Sequence, residues 1–202
     1  MARVTADISI SADGYSTGPN QREDAPFGDG VDEAFHDWMF VHGDENEEEV
    51  AGILAARAYI MGRNMFGPVR GEWTGDWKGW WGPGPPYHAP VFVLTHHARE
   101  PLAMEGGTTF FFVTDGPEAA LARARAAAGD ADVAIAGGAD TINQYLALGL
   151  LDELRLHVAP LTLGFGGRTD IVRVFDGVPP RRLVPVRVRP TAHVTHITYE
   201  LT

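Results

Sequence analysis

The sequence predicts an α/β protein: three layers, α/β/α, around a mixed, mostly parallel sheet with antiparallel strands at its carboxyl end. Three observations predict it. Short strands that are apolar along their whole length alternate with helical patterns, as strands do in a parallel sheet covered on both faces. The last twenty residues instead alternate apolar with polar, as an antiparallel pair does. The 202 residues, 45% hydrophobic and 21% charged, suit a single domain over 1–202 whose core needs no disulfide or metal.

Residues 4–11 open the chain as a strand, with Val4, Ala6, Ile8 and Ile10 on one face. Asp44, Glu45, Glu47, Glu48 and Glu49 precede an apolar stretch, where acidic residues in a helix's first turn complement its dipole. A buried run over 58–61 ends at Gly62. Residues 67–90, GPVRGEWTGDWKGWWGPGPPYHAP, hold four of the five tryptophans amid glycine and proline, a density of breakers that only a long loop accommodates. Those tryptophans can pin the loop to the body, form a subunit contact or line a planar ligand's pocket.

Strands follow at 91–94, 109–113 and 133–136. Pro117 opens a helix over 117–128 that Gly129 closes, and Asp140 is placed to cap a helix running to Leu148. Residues 154–158 alternate, and 183–188 with 194–201 make the antiparallel pair.

The net charge of −11 disfavours nucleic acid and anionic lipid as partners, so an anionic ligand needs a locally positive pocket. The absence of cysteine removes disulfides, thiolate zinc sites and cysteine nucleophiles. MARVTADISIS lacks the build of a signal peptide and no apolar run reaches membrane-spanning length, so a cytoplasmic protein is expected.

Open α/β sheets bind ligands outside the carboxyl ends of their strands. Four turns lie there: Gly62–Arg63–Asn64, Thr95–His96–His97, Thr114–Asp115–Gly116 and Gly137–Gly138–Ala139–Asp140–Thr141. In the last, two glycines admit close backbone approach and the following helix presents free N–H groups, a combination suited to a pyrophosphate. Arg63 can fork onto phosphate oxygens, and Thr95 with the two histidines offers a polar cradle. No metal is expected. His96 and His97 are adjacent, which is poor zinc spacing, and His193 and His196, three apart on a strand, point to opposite faces. GxGxxG after the first strand, GxxxxGK[ST], GxSxG and HExxH are all missing.

The segments ADISISADGY, AYIMGRNMFG, PVFVLTHH, VTDGPEAALARA and DVAIAGGADTINQYLALGLLDELRLHVAPLTLG together resemble the dihydrofolate reductase-like superfamily. They are closest to its bacterial branch, related to the reductase domain of riboflavin biosynthesis. The resemblance implies NADPH bound across the sheet's carboxyl edge. It places Gly62, Arg63 and Asn64 beside the cofactor phosphates, Thr95 and His96 at the adenosine ribose and its 2′-phosphate, and Thr114 on the same edge. Gly137, Gly138, Ala139, Asp140 and Thr141 fall at the pyrophosphate and nicotinamide ribose, with a cis peptide between the glycines. Asp13 and Gly14 flank the nicotinamide.

The chain departs from the family at three places. In the region of the family's pterin-binding carboxylate, VDEAFHDWMF offers Asp32, Glu33 and Asp37, none of which is matched to that position, and Asp13, Asp32 and Asp37 are the candidate catalytic residues. GGRTDIVRVF lacks the usual leucine-phenylalanine pair, and the tryptophan-rich loop is different. The expected function is an NADPH-dependent reductase of a small planar heterocycle, pteridine- or pyrimidine-like; a cofactor-binding sensor or scaffold without catalysis is the alternative. A homodimer is expected, through the C-terminal strands or the tryptophan loop.

Overall fold

The computed structural model describes residues 2–202. Strand β1 (Val4–Ser11) is buried on both faces. A 3-10 turn (Glu33–His36) and two short helices, α1 (Asp37–Phe40) and α2 (Glu47–Ile53), lead to β2 (Ala58–Gly62), which runs directly into α3 (Arg63–Phe66). After the long loop come β3 (Pro90–Leu94), the two-residue β4 (Leu102–Ala103) and β5 (Thr109–Val113). Helix α4 (Pro117–Ala128), β6 (Val133–Ile135), α5 (Ala139–Leu148), β7 (Glu153–Ala159), β8 (Leu183–Pro190) and β9 (Thr195–Leu201) complete the chain.

Among the described residues the strands form one nine-stranded sheet, ordered β4-β5-β3-β2-β6-β1-β7-β9-β8. The six strands from β5 to β7 are parallel, so their carboxyl ends share one edge. β4 pairs antiparallel at one end of the sheet and β9 and β8 at the other, as the alternating C-terminal pattern predicts.

Each face of the sheet buries a different set. Ala6, Ile8, Ile60, Ile135 and Leu156 pack against Leu121, Ala124, Ile142 and Leu146 of α4 and α5. On the other face Ser9 accepts a hydrogen bond from the Trp38 indole at 3.1 Å, which seats α1 on β1. Further along that face, Tyr59, Met61, Val91, Val93, Phe110 and Phe112 are covered by the tryptophan-rich loop. Trp77 donates to the Phe66 carbonyl at 3.0 Å, Trp73 to the His97 carbonyl at 2.7 Å, and Trp81 stacks on Phe110. These tryptophans therefore pin the loop to the body. Gly67 permits it, since a Cβ there would lie 2.1 Å from the Trp77 Nε1.

Two local expectations are corrected and a third is extended. Asp140 does not cap α5: Gly138 occupies the N-cap without a side-chain bond, and Asp140, two residues further along and inside the helix, accepts from Gln144 at 2.8 Å. His193 lies in the turn before β9, which starts at Thr195, so only His196 is on the strand. The acidic run does more than complement a dipole. Glu48 and Glu49 pair with Arg187 and Arg189, tying α2 to the edge strand β8. No helix among the described residues is long and apolar enough to cross a membrane.

Candidate active site

Sheet register assembles the site. Gly62 sits opposite Leu94, and Leu94 opposite Val113, so the three strands end level and release Arg63, Thr95 and Thr114 side by side. The β6 turn joins them: the Gly62 N–H donates to the Gly137 carbonyl at 2.8 Å, and the Ala136 N–H to the Ile60 carbonyl at 2.7 Å. The Gly137–Gly138 peptide is cis. A Cβ built on either glycine meets nothing within 4 Å, so open space lies over both, directly before the free N–H groups of α5.

Beside this turn three arginines cluster. Arg63 donates from Nε to the Val69 carbonyl at 3.0 Å and from Nη1 to the Thr95 hydroxyl at 3.3 Å, while its Nη2 is buried with no partner. The guanidinium lies 3.8 Å from the centre of the Trp73 ring, and that of Arg99 lies 5.0 Å from the same ring. Arg70 donates to the Gly67 carbonyl at 3.0 Å. Burial holds all three arginines below their ordinary pKa, with Arg70 and Arg99 adding to the effect at Arg63. Among the described residues none of the three has a carboxylate within ion-pair distance. Arginine stays protonated regardless.

Sequence reading found Arg63 and Thr95, and held Trp73 among the loop tryptophans that could line a pocket, but did not find Arg70 or Arg99. The available signal was basic residues flanking the aromatic loop in a chain of net charge −11. The histidine cradle is only partly formed: His96 is exposed, and His97 turns its Nδ1 to Glu72 at 3.0 Å. Asn64, Thr114 and Asp140 are exposed on the same edge, and Ala139 and Thr141 are buried at the start of α5.

Residues 2–197 match the model of the RibD C-terminal domain. The chain belongs to that family. Solved structures agree in fold. A Shewanella sp. PV-4 protein described as a riboflavin biosynthesis protein aligns at TM-score 0.60 and 22% identity, covering 99% of both chains. A pyrimidine reductase-like protein from Corynebacterium diphtheriae aligns at 0.57 and 14%, over 100% of this chain and 92% of that one. RibD from Acinetobacter baumannii aligns at 0.60 and 16%; the chain is covered in full but spans only 58% of that protein. A search of curated protein sequences gives no match. The RibD-type, dihydrofolate reductase-like fold expected from the sequence is thus borne out.

The three candidate carboxylates take separate positions. Asp13 accepts from the Leu163 and Gly164 amides at 3.0 and 2.8 Å, joining the loop after β1 to the one after β7. Burial pushes its pKa up, but hydrogen bonds from Ser11 and these two amides outweigh that and hold it lowered. Asp13 therefore stays a carboxylate at neutral pH. Asp32 caps the 3-10 turn by accepting from the Ala34 amide at 2.8 Å, and Asp37 opens α1.

Proposed function

We propose that the chain is an NADPH-dependent reductase of a small planar heterocycle, pyrimidine- or pteridine-like, acting on a C=N, C=O or CH–NH bond. The observation that carries this reading is the open Gly137–Gly138 turn beside three arginines without carboxylate partners. The family match and the names of the Corynebacterium and Acinetobacter relatives support a reductase and a pyrimidine-like substrate.

The residues present fit such a cofactor. Gly137, Gly138 and the α5 amino end would hold a pyrophosphate, and the buried, unpartnered Nη2 of Arg63 would take an oxygen of a 2′-phosphate. When bound, NADPH supplies the hydride; the chain's part is placement, charge and exclusion of water. Asp13 orients the loop that flanks the reacting ring and, as a carboxylate, does not donate a proton. Water is the donor this arrangement favours.

A second reading has one observation in its favour: Asp13 is held as a carboxylate and Asp32 is committed to capping the 3-10 turn, which suits a cofactor-binding sensor without catalysis. Titration with NADPH and NADH, followed by turnover assays on aminopyrimidine and pteridine substrates, separates the two. NADPH binding with turnover establishes the reductase, and binding without turnover on any substrate supports the sensor. Absence of nucleotide binding overturns both.

The reading includes a cytoplasmic homodimer. With the tryptophan loop packed on its own body, edge strand β8, where Val186 and Val188 are 51% and 60% exposed, is the surface proposed for the contact. A monomeric mass in light scattering at micromolar concentration would oppose it.

A further inference from the structure

We propose that His42, Glu45 and His193 form a binding site for a divalent transition metal of the zinc type, which clamps the α1–α2 turn to the β8–β9 turn. His42 and Glu45 share the α1–α2 turn, three residues apart, and His193 comes from the β8–β9 turn. The cluster lies at the carboxyl end of the sheet, as Arg63 and Gly137 do, but far along the strand order, with β1, β7 and β9 between β6 and β8. One ligand atom from each falls within 4.8 Å of the other two. Two imidazoles and one carboxylate are a donor set that zinc favours, leaving a fourth position for water.

The His42 and His193 rings lie parallel, 3.7 Å between centres and 5° apart in tilt. They are stacked face to face, so their in-plane nitrogen lone pairs run parallel, and coordination of one ion requires the rings to splay. Bonds of about 2.0–2.1 Å at tetrahedral angles set ligand atoms roughly 3.3–3.4 Å from one another. The His42 side chain is 30% and the Glu45 side chain 51% exposed, so both have room to rotate toward such positions. Apart from Glu45, whose carboxylate is 4.0 Å from His42, neither ring has a polar partner among the described residues.

Both turns are built independently of a metal. Asn46, fully buried, donates to the Trp38 and His42 carbonyls at 2.9 and 2.8 Å, and the His42 N–H donates to the Asp37 carbonyl at 2.8 Å. Across the gap, the Thr191 N–H donates to the Val194 carbonyl at 2.8 Å and the His193 N–H to the Thr191 hydroxyl at 3.4 Å. The turns that carry the donors are therefore already ordered, and only side-chain rotation remains to oppose binding. The local field also favours a cation. The neighbouring Arg187 and Arg189 are neutralised by Glu48 and Glu49, while Asp44 and Glu47 have no ion-pair partner among the described residues.

Chelator-treated full-length protein, titrated with Zn2+ against a chromophoric chelator and separately with Co2+, tests the site. One equivalent of Zn2+ should bind at micromolar Kd or tighter, raising Tm, and Co2+ should give the visible absorption of a four-coordinate nitrogen–oxygen site. Loss of a ligand should cost at least the tenfold or more that loss of a ligand's supporting hydrogen bond costs. Glu45→Gln should thus weaken binding about tenfold or more, and His42→Ala with His193→Ala should abolish it. Equal binding by the wild type and the double variant would assign the metal to other histidines and overturn the proposal. So would the absence of a bound equivalent. Glu45→Gln, nearly isosteric and exposed, decides the matter if the double variant fails to fold. Nucleotide affinity is a separate readout, so failure here leaves the reductase reading standing.

Discussion

Gly62 and Thr141 meet where β2 gives way to α3 and α5 begins: a Cβ at Gly62 would lie 2.4 Å from the Thr141 Oγ1. The glycine's φ of −76° is open to any residue, so its requirement is one of space, not conformation. That contact brings the arginine end of β2 against the glycine turn of β6, and the Gly62 N–H bond to the Gly137 carbonyl locks it.

Gly62→Ala should therefore lower stability by about 1–3 kcal/mol, the usual cost of overpacking, and weaken NADPH binding with it. Thr141→Ala removes the clashing oxygen and should restore most of the loss in the double variant. Thermal melts of the two single variants and the double variant check this. Additive losses would show that the two residues do not meet.

Gly138→Ala should behave in the opposite way. The added methyl meets nothing within 4 Å in the unliganded chain, and the φ of −75° suits alanine, so the fold should survive within about 1 kcal/mol. NADPH affinity should fall by roughly 2–4 kcal/mol, about 30-fold to 1,000-fold, because the methyl stands where the pyrophosphate must approach. Tm and Kd measured together decide it, and an unchanged Kd ends the pyrophosphate assignment.

Arg99→Gln and Arg63→Gln should each reduce affinity for NADPH by about 10-fold to 150-fold, the worth of one charge-assisted contact, and leave NADH binding nearly unaltered. A parallel loss for both nucleotides would mean that the arginines organise the fold and do not read a 2′-phosphate.

Stability should fall as the pH drops from about 6.5 towards 4. His36, its two ring nitrogens buried without partners against Phe27, Phe35 and Phe40, is pushed down to about 4 by burial. Burial and then the neighbouring His157 push His196 in the same direction, to about 4. Both histidines are neutral in the fold and gain a proton more readily when unfolded, so their contribution is complete above 6.5 and lost on acidification. For His36 it is about 3 kcal/mol. Glu48 and Glu49, held below their ordinary range near 4.5, add losses only further down. Denaturant melts of His36→Phe between pH 7 and 4.5 should show a flatter slope than the wild type, and equal slopes would refute the assignment.

How much of this was legible in the chain follows from how far each signal reaches. The strands, helix α4, the tryptophan-rich loop and the four carboxyl-edge turns were all readable, because apolar period, proline and glycine act over a few residues. Asp140 was misread by the same local rule: a capping residue type stands near the helix start, but the helix begins one residue before it and Gly138 takes the cap. The pairing of Glu48 and Glu49 with Arg187 and Arg189 left no local trace.

Sequence alone determined the layers, the parallel core and the glycine turn at 137–138. Only tertiary structure decided that Gly62, Leu94 and Val113 end level, that Arg70, Arg99 and Trp73 gather at Arg63, and that His193 lies against His42. The physical reason is distance along the chain. Conformation within a turn or strand is set by neighbouring residues. Which remote side chains then meet is set by strand order and register, and these come from burying the whole sheet at once.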